Sequence, residues 1–159
     1  MSSKGKLVVE AIKNGTVIDH IPADRTLLVV EILTKPNESC FIGVNLSSTS
    51  VKQKGVVKIQ DREFNESDLK ILAALAQDAT VNIIRDYNIV SKKKLKVPSD
   101  VIDLFICGNT NCITNHEDVK TRFKLGQFQH TCDYCERSFP VHRLKVKRPD
   151  LNANSAFSQ

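Results

Sequence analysis

Four of the five cysteines stand in two close pairs near the C-terminus, Cys107-x4-Cys112 and Cys132-x2-Cys135, with nineteen residues between the pairs. Each pair closes a tight knuckle that aims two sulfurs at one point, and folding brings the two knuckles together. Four thiolates complete a tetrahedral shell around Zn²⁺ and leave no open position, so the expected site is structural, with one zinc per chain. A disulfide framework is the alternative. The segment Met1–Lys6 lacks the apolar run of a signal peptide, and no stretch is long enough to span a bilayer. The expected location is therefore cytoplasmic, where thiols stay reduced and open to metal. Cys40, in the apolar run Cys40–Val44, reads as a small buried strand residue. His116 and His130 flank the knuckles as alternative ligands to a shell that four cysteines already fill.

The cysteines also divide the chain. The roughly fifty residues from Val101 to Arg148 cannot bury enough apolar surface to fold securely alone. A structural metal supplies what that small core lacks, with apparent binding energies of about 10–16 kcal/mol. Three segments are expected: a first domain over 1–98, a four-cysteine domain over 99–148, and a polar, disordered tail over 149–159. The boundary rests on Ser91-Lys92-Lys93-Lys94, Lys96 and Pro98, which read by composition as a hinge or linker. Charge follows the same division. Residues 1–91 carry 11 basic and 11 acidic side chains, and residues 92–159 carry 12 and 7, so the whole excess of +5 lies in the second part. Such a surplus suits nucleic acid or an acidic protein surface.

The first domain reads as a small α/β unit. Leu7–Ile12 and Thr16–Ile21 have strand character on either side of Asn14-Gly15. Pro22 suits a helix start, and Leu27, Leu28, Glu31 and Ile32 share a helical face running to Leu33, although Val29, Val30 and Ile32 also suit a strand. Strands follow at Cys40–Leu46 and Val56–Ile59, separated by a loop at Ser47–Ser50. Asn65 then caps a second helix, with apolar positions at Leu69, Leu72, Leu75, Ala76 and Ala79. Thr80–Ile84 is a further strand and Tyr87–Val90 another extended segment. The order resembles a ferredoxin-like split βαβ unit with an added strand. The fold class is α+β, an N-terminal α/β sandwich followed by a small all-β zinc ribbon.

Polar residues inside the strands have two readings. Asp19 and His20 are adjacent, so an extended strand points them to opposite faces. Asp19 could cap the next helix with His20 in solvent; alternatively Asp19 accepts from sugar hydroxyls and His20 meets phosphate. Lys58 and Lys92 are ordinary exposed lysines or point charges for phosphate. Neither a P-loop nor a G-x-G-x-x-G occurs. The zinc-deaminase signature fails, because His116 and Glu117 are adjacent and Thr131 precedes Cys132.

The whole pattern resembles the regulatory chain of aspartate carbamoyltransferase. The residues that carry the likeness are Val9-Glu10-Ala11-Ile12-Lys13, Gly15-Thr16-Val17-Ile18-Asp19-His20-Ile21-Pro22, Gly43-Val44-Asn45-Leu46, Lys58-Ile59, Ala79-Thr80-Val81-Asn82, Tyr87 and the two cysteine knuckles with Asn109, Asn111, Ile113, Tyr134 and Glu136. The resemblance implies a non-catalytic regulatory subunit acting in pyrimidine biosynthesis. Its N-terminal domain would bind CTP and UTP as inhibitors and ATP as activator. Glu10, Ala11 and Ile12 would read the base through backbone groups, Asp19 and Lys58 would hold ribose and base, and His20 and Lys92 would meet the phosphates. Asn82, Ile84, Tyr87 and Ile89 would line the same pocket. The zinc domain would dock on the catalytic chain through Asn109 and Asn111, with Glu117 close by. Regulatory chains would pair through their N-terminal domains, three such dimers bridging two catalytic trimers. Two other classes stand beside this one: a basic zinc ribbon on nucleic acid through Lys92–Lys94 and Lys145–Arg148, and a zinc-dependent hydrolase.

Overall fold

The computed structural model describes residues 11–47 and 53–147. The first part runs β1 (Gly15–Pro22), a 3₁₀ turn (Ala23–Arg25), α1 (Thr26–Leu33), β2 (Cys40–Leu46), β3 (Lys54–Gln60), α2 (Glu66–Leu75), β4 (Thr80–Arg85) and β5 (Asn88–Lys94). The strands form one sheet in the order β2-β3-β1-β4-β5, each neighbour antiparallel. The β1-α1-β2 unit steps over β3, and β3-α2-β4 steps over β1. That is the split βαβ topology expected, with β5 added through a hairpin.

Period-two alternation decides which face of the sheet is covered. Along β3, Gly55, Val57 and Ile59 are buried while Lys54, Val56, Lys58 and Gln60 are not. Ile18, Ile21, Val57, Ile59, Val81 and Ile83 pack beneath Val29 and Leu33 of α1 and Leu72 and Leu75 of α2. Each such side chain contributes about 1.5–3 kcal/mol by leaving water. Gly55 lets α1 sit this low: a Cβ there would lie 1.8 Å from Thr26 Oγ1.

Several boundaries differ from expectation. Of the strand expected at Leu7–Ile12, only Ala11 and Ile12 are described, and they are irregular. Ser48–Ser50 of the expected loop, Arg148 and the tail 149–159 lie outside the described residues. Pro22 closes β1, and a 3₁₀ turn intervenes before α1. Asn65 caps α2 as expected, in a capping box with Asp68, but the helix stops at Leu75. Ala76–Ala79 turn instead into β4. Ser91–Lys94, read as a linker, belongs to β5, pairing Asn82 with Lys92 and Thr80 with Lys94. An edge strand tolerates lysines because one long border faces water.

The second part is all β among the described residues. It comprises β6 (Asp100–Ile102), β7 (Phe105–Ile106), a 3₁₀ turn (Ile113–Asn115), β8 (Arg122–Leu125), β9 (Gln129–Cys132), β10 (Ser138–Pro140), a second 3₁₀ turn (Val141–Arg143) and β11 (Lys145–Val146). A sheet β10-β9-β8-β6 stands beside a β11-β7 ribbon. Its interior is small: Phe105 meets Phe123 edge-on at 5.6 Å and His130 at 5.4 Å.

One arginine ties three elements of the first part together. Arg62 Nη1 donates to Leu33 O at 2.7 Å and to Glu38 Oε2 at 3.0 Å, while Nη2 donates to Asp68 Oδ1 at 2.8 Å. Its guanidinium also lies 5.0 Å from the Phe64 ring centroid. The three charged side chains are 14–16% exposed, so removing the cation leaves two carboxylates in poor solvent. Arg62→Met is expected to lower the unfolding free energy by about 3 kcal/mol in urea titrations; a loss under about 1 kcal/mol would show that water compensates the acids.

Candidate metal centre and open sheet face

The four cysteines converge. Cys107 follows β7, Cys112 precedes the first 3₁₀ turn of the second part, Cys132 ends β9 and Cys135 sits in the turn before β10. Their sulfurs all lie within 4.8 Å of one another, with Cys107–Cys135 at 3.6 Å and Cys112–Cys132 at 3.8 Å. A tetrahedron of sulfurs about 2.3 Å from one metal requires edges of about 3.8 Å. A disulfide needs about 2.05 Å, and none of the five cysteines is paired that way.

Local hydrogen bonds shape each knuckle. Cys112 N donates to Asn109 O at 2.9 Å, and Asn109 Oδ1 accepts from Asn111 N at 3.1 Å. Asn115 Nδ2 staples the loop by donating to Cys107 O and Asn109 O at 3.0 and 2.7 Å. In the second knuckle Glu136, at φ 61°, donates its N–H to Cys132 O at 2.8 Å.

Burial pushes the Cys107 and Cys132 thiols up. At Cys112 the same penalty is outweighed by donors from Thr114, whose hydroxyl lies 3.2 Å from the sulfur, and the pKa falls to about 7. A bound divalent cation would hold all four as thiolates, and the energy of that binding would be folding energy for this small module. Neither histidine joins the shell. His116 Nε2 lies 2.8 Å from Thr110 O, and His130 Nε2 lies 3.0 Å from Ala74 O. Of the residues expected to dock on a partner, Asn111 and Glu117 are exposed, whereas the Asn109 side chain closes the first knuckle.

The uncovered face of the first sheet gathers most of the other expected site residues. One row across the strands aligns Lys58, Val17, Asn82 and Lys92. The next aligns Asp19, Thr80 and Lys94. Lys54 Nζ reaches this row and donates to Asp19 Oδ1 at 2.8 Å.

Burial alone would raise the Asp19 pKa, but Lys54 and the His20 backbone N–H outweigh it and hold the carboxyl below its ordinary 3.8. The pair's contribution to stability is therefore complete above pH 3.8 and fades as pH falls through the lowered value.

His20 does not point away from Asp19 as an extended strand would require. It sits in a bulge at φ 57°, which turns its ring to Thr80 Oγ1 at 3.1 Å and to within 4.0 Å of Asp19 Oδ2. No side chain caps the 3₁₀ turn that follows, so Asp19 is not a helix cap.

The remaining residues gather at the hairpin end. Ile84 pairs with Ile89 and with Gly15, and the Tyr87 N–H donates to Lys13 O at 2.9 Å, beside Ala11 and Ile12. Ile12 and Ile84 are buried, whereas Ala11, Tyr87 and Ile89 are exposed. Glu10 lies outside the described residues. The family resemblance brings Lys54 toward the nucleotide, but sequence reasoning missed its pairing with Asp19 and the placement of Lys94. Their period-two spacing from Lys58 and Lys92 was the available signal.

A helix-backed antiparallel sheet with one open face, joined to a small module in which four cysteines converge, defines a two-part protein with a candidate metal centre. Comparison with known proteins is specific. Residues 7–96 match the family model for the aspartate carbamoyltransferase regulatory chain, allosteric domain, and residues 99–144 match that for its metal binding domain. The aspartate carbamoyltransferase regulatory chain of Thermococcus gammatolerans is 45% identical over 139 residues, 84% of this chain and 92% of that protein. That of Porphyromonas gingivalis is 40% identical over 148 residues, covering 90% and 98%. That of Vibrio vulnificus is 44% identical over 145 residues, covering 87% and 95%. The chain belongs to the aspartate carbamoyltransferase regulatory chain family, whose members are regulatory rather than catalytic chains.

Cys112→Ser is expected to reduce bound metal from about one equivalent to less than about a tenth, measured by elemental analysis after dialysis. Retention of a full equivalent would show that three sulfurs suffice.

Proposed function

We propose that this chain binds CTP, UTP and ATP on the open face of its first sheet and passes their effect to the catalytic chain of aspartate carbamoyltransferase. The alignment of Lys58, Asn82 and Lys92 in one row beside the Asp19–Lys54 pair carries this reading. Lysines serve phosphate as point charges, and a carboxylate held ionised is an acceptor for ribose hydroxyls. His20 and Lys92 meet phosphate, Asp19 and Lys58 hold ribose and base, and Glu10, Ala11 and Ile12 read the base. Asn82, Ile84, Tyr87 and Ile89 complete the pocket.

The metal is Zn²⁺, the ion that four thiolates in this geometry suit best. Residues 1–98 form the effector domain and 99–148 the zinc domain, which docks on the catalytic chain through Asn111 and Glu117, with Asn109 shaping the loop. The edge strand β2 exposes Phe41, Ile42 and Val44, an apolar border that a second regulatory chain would cover. The chain acts in the cytoplasm, in pyrimidine biosynthesis. Three cations of the zinc domain are paired with acids, Lys147 with Asp103, Arg122 with Asp100 and Lys124 with Asp133, and few aromatics stand among the basic residues for base stacking, which weakens the nucleic-acid alternative. Regulation of this kind corresponds to a coupling of about 1–3 kcal/mol and requires nucleotides to bind two states of the assembly unequally.

Lys58→Ala and Lys92→Ala are each expected to weaken CTP binding about 10- to 100-fold in calorimetric titrations, the loss of one charge-assisted contact. Unchanged titrations in both variants would place the nucleotide elsewhere.

A further inference from the structure

Side-chain hydrogen bonds from His130 and Gln77 link the β8–β9 hairpin to one short segment of the first part, residues 74–77. His130, on β9, is fully buried, and its Nδ1 lies 3.3 Å from Gly126 N. A backbone N–H only donates, so Nδ1 accepts and Nε2 carries the proton. Nε2 then donates to Ala74 O at 3.0 Å. Gln77 Nε2 returns across the boundary by donating to Gly126 O at 2.7 Å. Ala74, His130, Gly126 and Gln77 thus close a ring of hydrogen bonds between the two parts of the molecule.

The position of that ring gives it meaning. Ala74 O is one of the last carbonyls of α2, which lack partners within the helix. The next carbonyl, Leu75 O, accepts from Arg25 Nη1 at 3.1 Å, and Arg25 lies just after β1. Residues 76–79 run directly into β4, where Thr80 meets His20 and Asn82 stands in the lysine row. Both strands that carry Asp19, His20, Thr80 and Asn82 are therefore anchored at the C-terminal end of α2. At the other side of the ring, His130 lies two residues before the metal ligand Cys132 on the same strand.

We propose that His130 and Gln77 are positioning residues that transmit occupancy of the open face to the metal-binding domain, through the end of α2. The proposal rests on the nucleotide reading above. A ligand that contacts Asp19 and His20 on β1 and Asn82 on β4 shifts the start of β4, and the ring carries that shift to the β8–β9 hairpin and the second knuckle. The route needs no movement of the sheet's core.

The test is amide hydrogen exchange on the full metal-loaded chain, with and without CTP, with calorimetry on the same samples. In the wild-type chain, CTP is expected to slow exchange in residues 126–132 by about threefold or more. His130→Leu, which keeps apolar volume, and Gln77→Ala, which alters a partly exposed side chain, should each abolish that remote protection while CTP affinity changes by less than about threefold. His130→Gln, which again offers one acceptor and one donor, should restore it; a merely structural histidine would give no such rescue. Protection of 126–132 that persists in both disrupting variants with CTP bound would overturn the proposal. Failure of the wild-type chain to bind CTP would overturn the nucleotide reading itself and this inference with it, and calorimetry separates that result from the first.

Discussion

Four cysteine sulfurs within 4.8 Å of one another, three of them on buried residues, are the constraint on which the second half of this molecule depends. Among the described residues its buried aromatic contacts amount to Phe105, Phe123 and His130, too little to hold six short strands and two 3₁₀ turns in place. The knuckles are nonetheless finely built: Asn115, Thr114 and the left-handed Glu136 all serve to present sulfur rather than to pack. A module held by its metal can spare its surface, and Asn111, Ile113, Glu117 and Tyr134 stand exposed around the site.

The first half solves the opposite problem. Its helices cover one face of the sheet with a continuous apolar core, which leaves the other face open for chemistry. Strand alternation alone would place Asp19 and His20 on different sides; the bulge and positive φ at His20 return both to the open face. Backbone held in that region costs about 1–3 kcal/mol for a non-glycine residue, and the surrounding core is what sustains it. Stability built on the covered face thus supports the strained geometry on the open one.

What the sequence disclosed, and what it withheld, follows the range of the interactions. Knuckle spacing, the Asn65 cap and the Cys40–Leu46 strand were legible because each depends on a few neighbouring residues. The Ser91–Lys94 strand was hidden because its partner, not its composition, makes it a strand. The end of α2 at Leu75 carries no glycine or proline; its carbonyls are taken by Arg25 and by His130, 56 residues away. Arg62 likewise draws its partners from 6 to 29 residues off. Family resemblance supplied the open-face residues as a set, and the sheet register explains why they form one.

The central claim is that the four-cysteine module exists to join an effector-binding sheet to a catalytic chain. Light scattering on the metal-loaded chain mixed with aspartate carbamoyltransferase catalytic trimers from the same source tests it most directly. The account predicts one large particle with the mass of two catalytic trimers and three regulatory dimers. Components that remain separate while the regulatory chain holds its full complement of metal would contradict it.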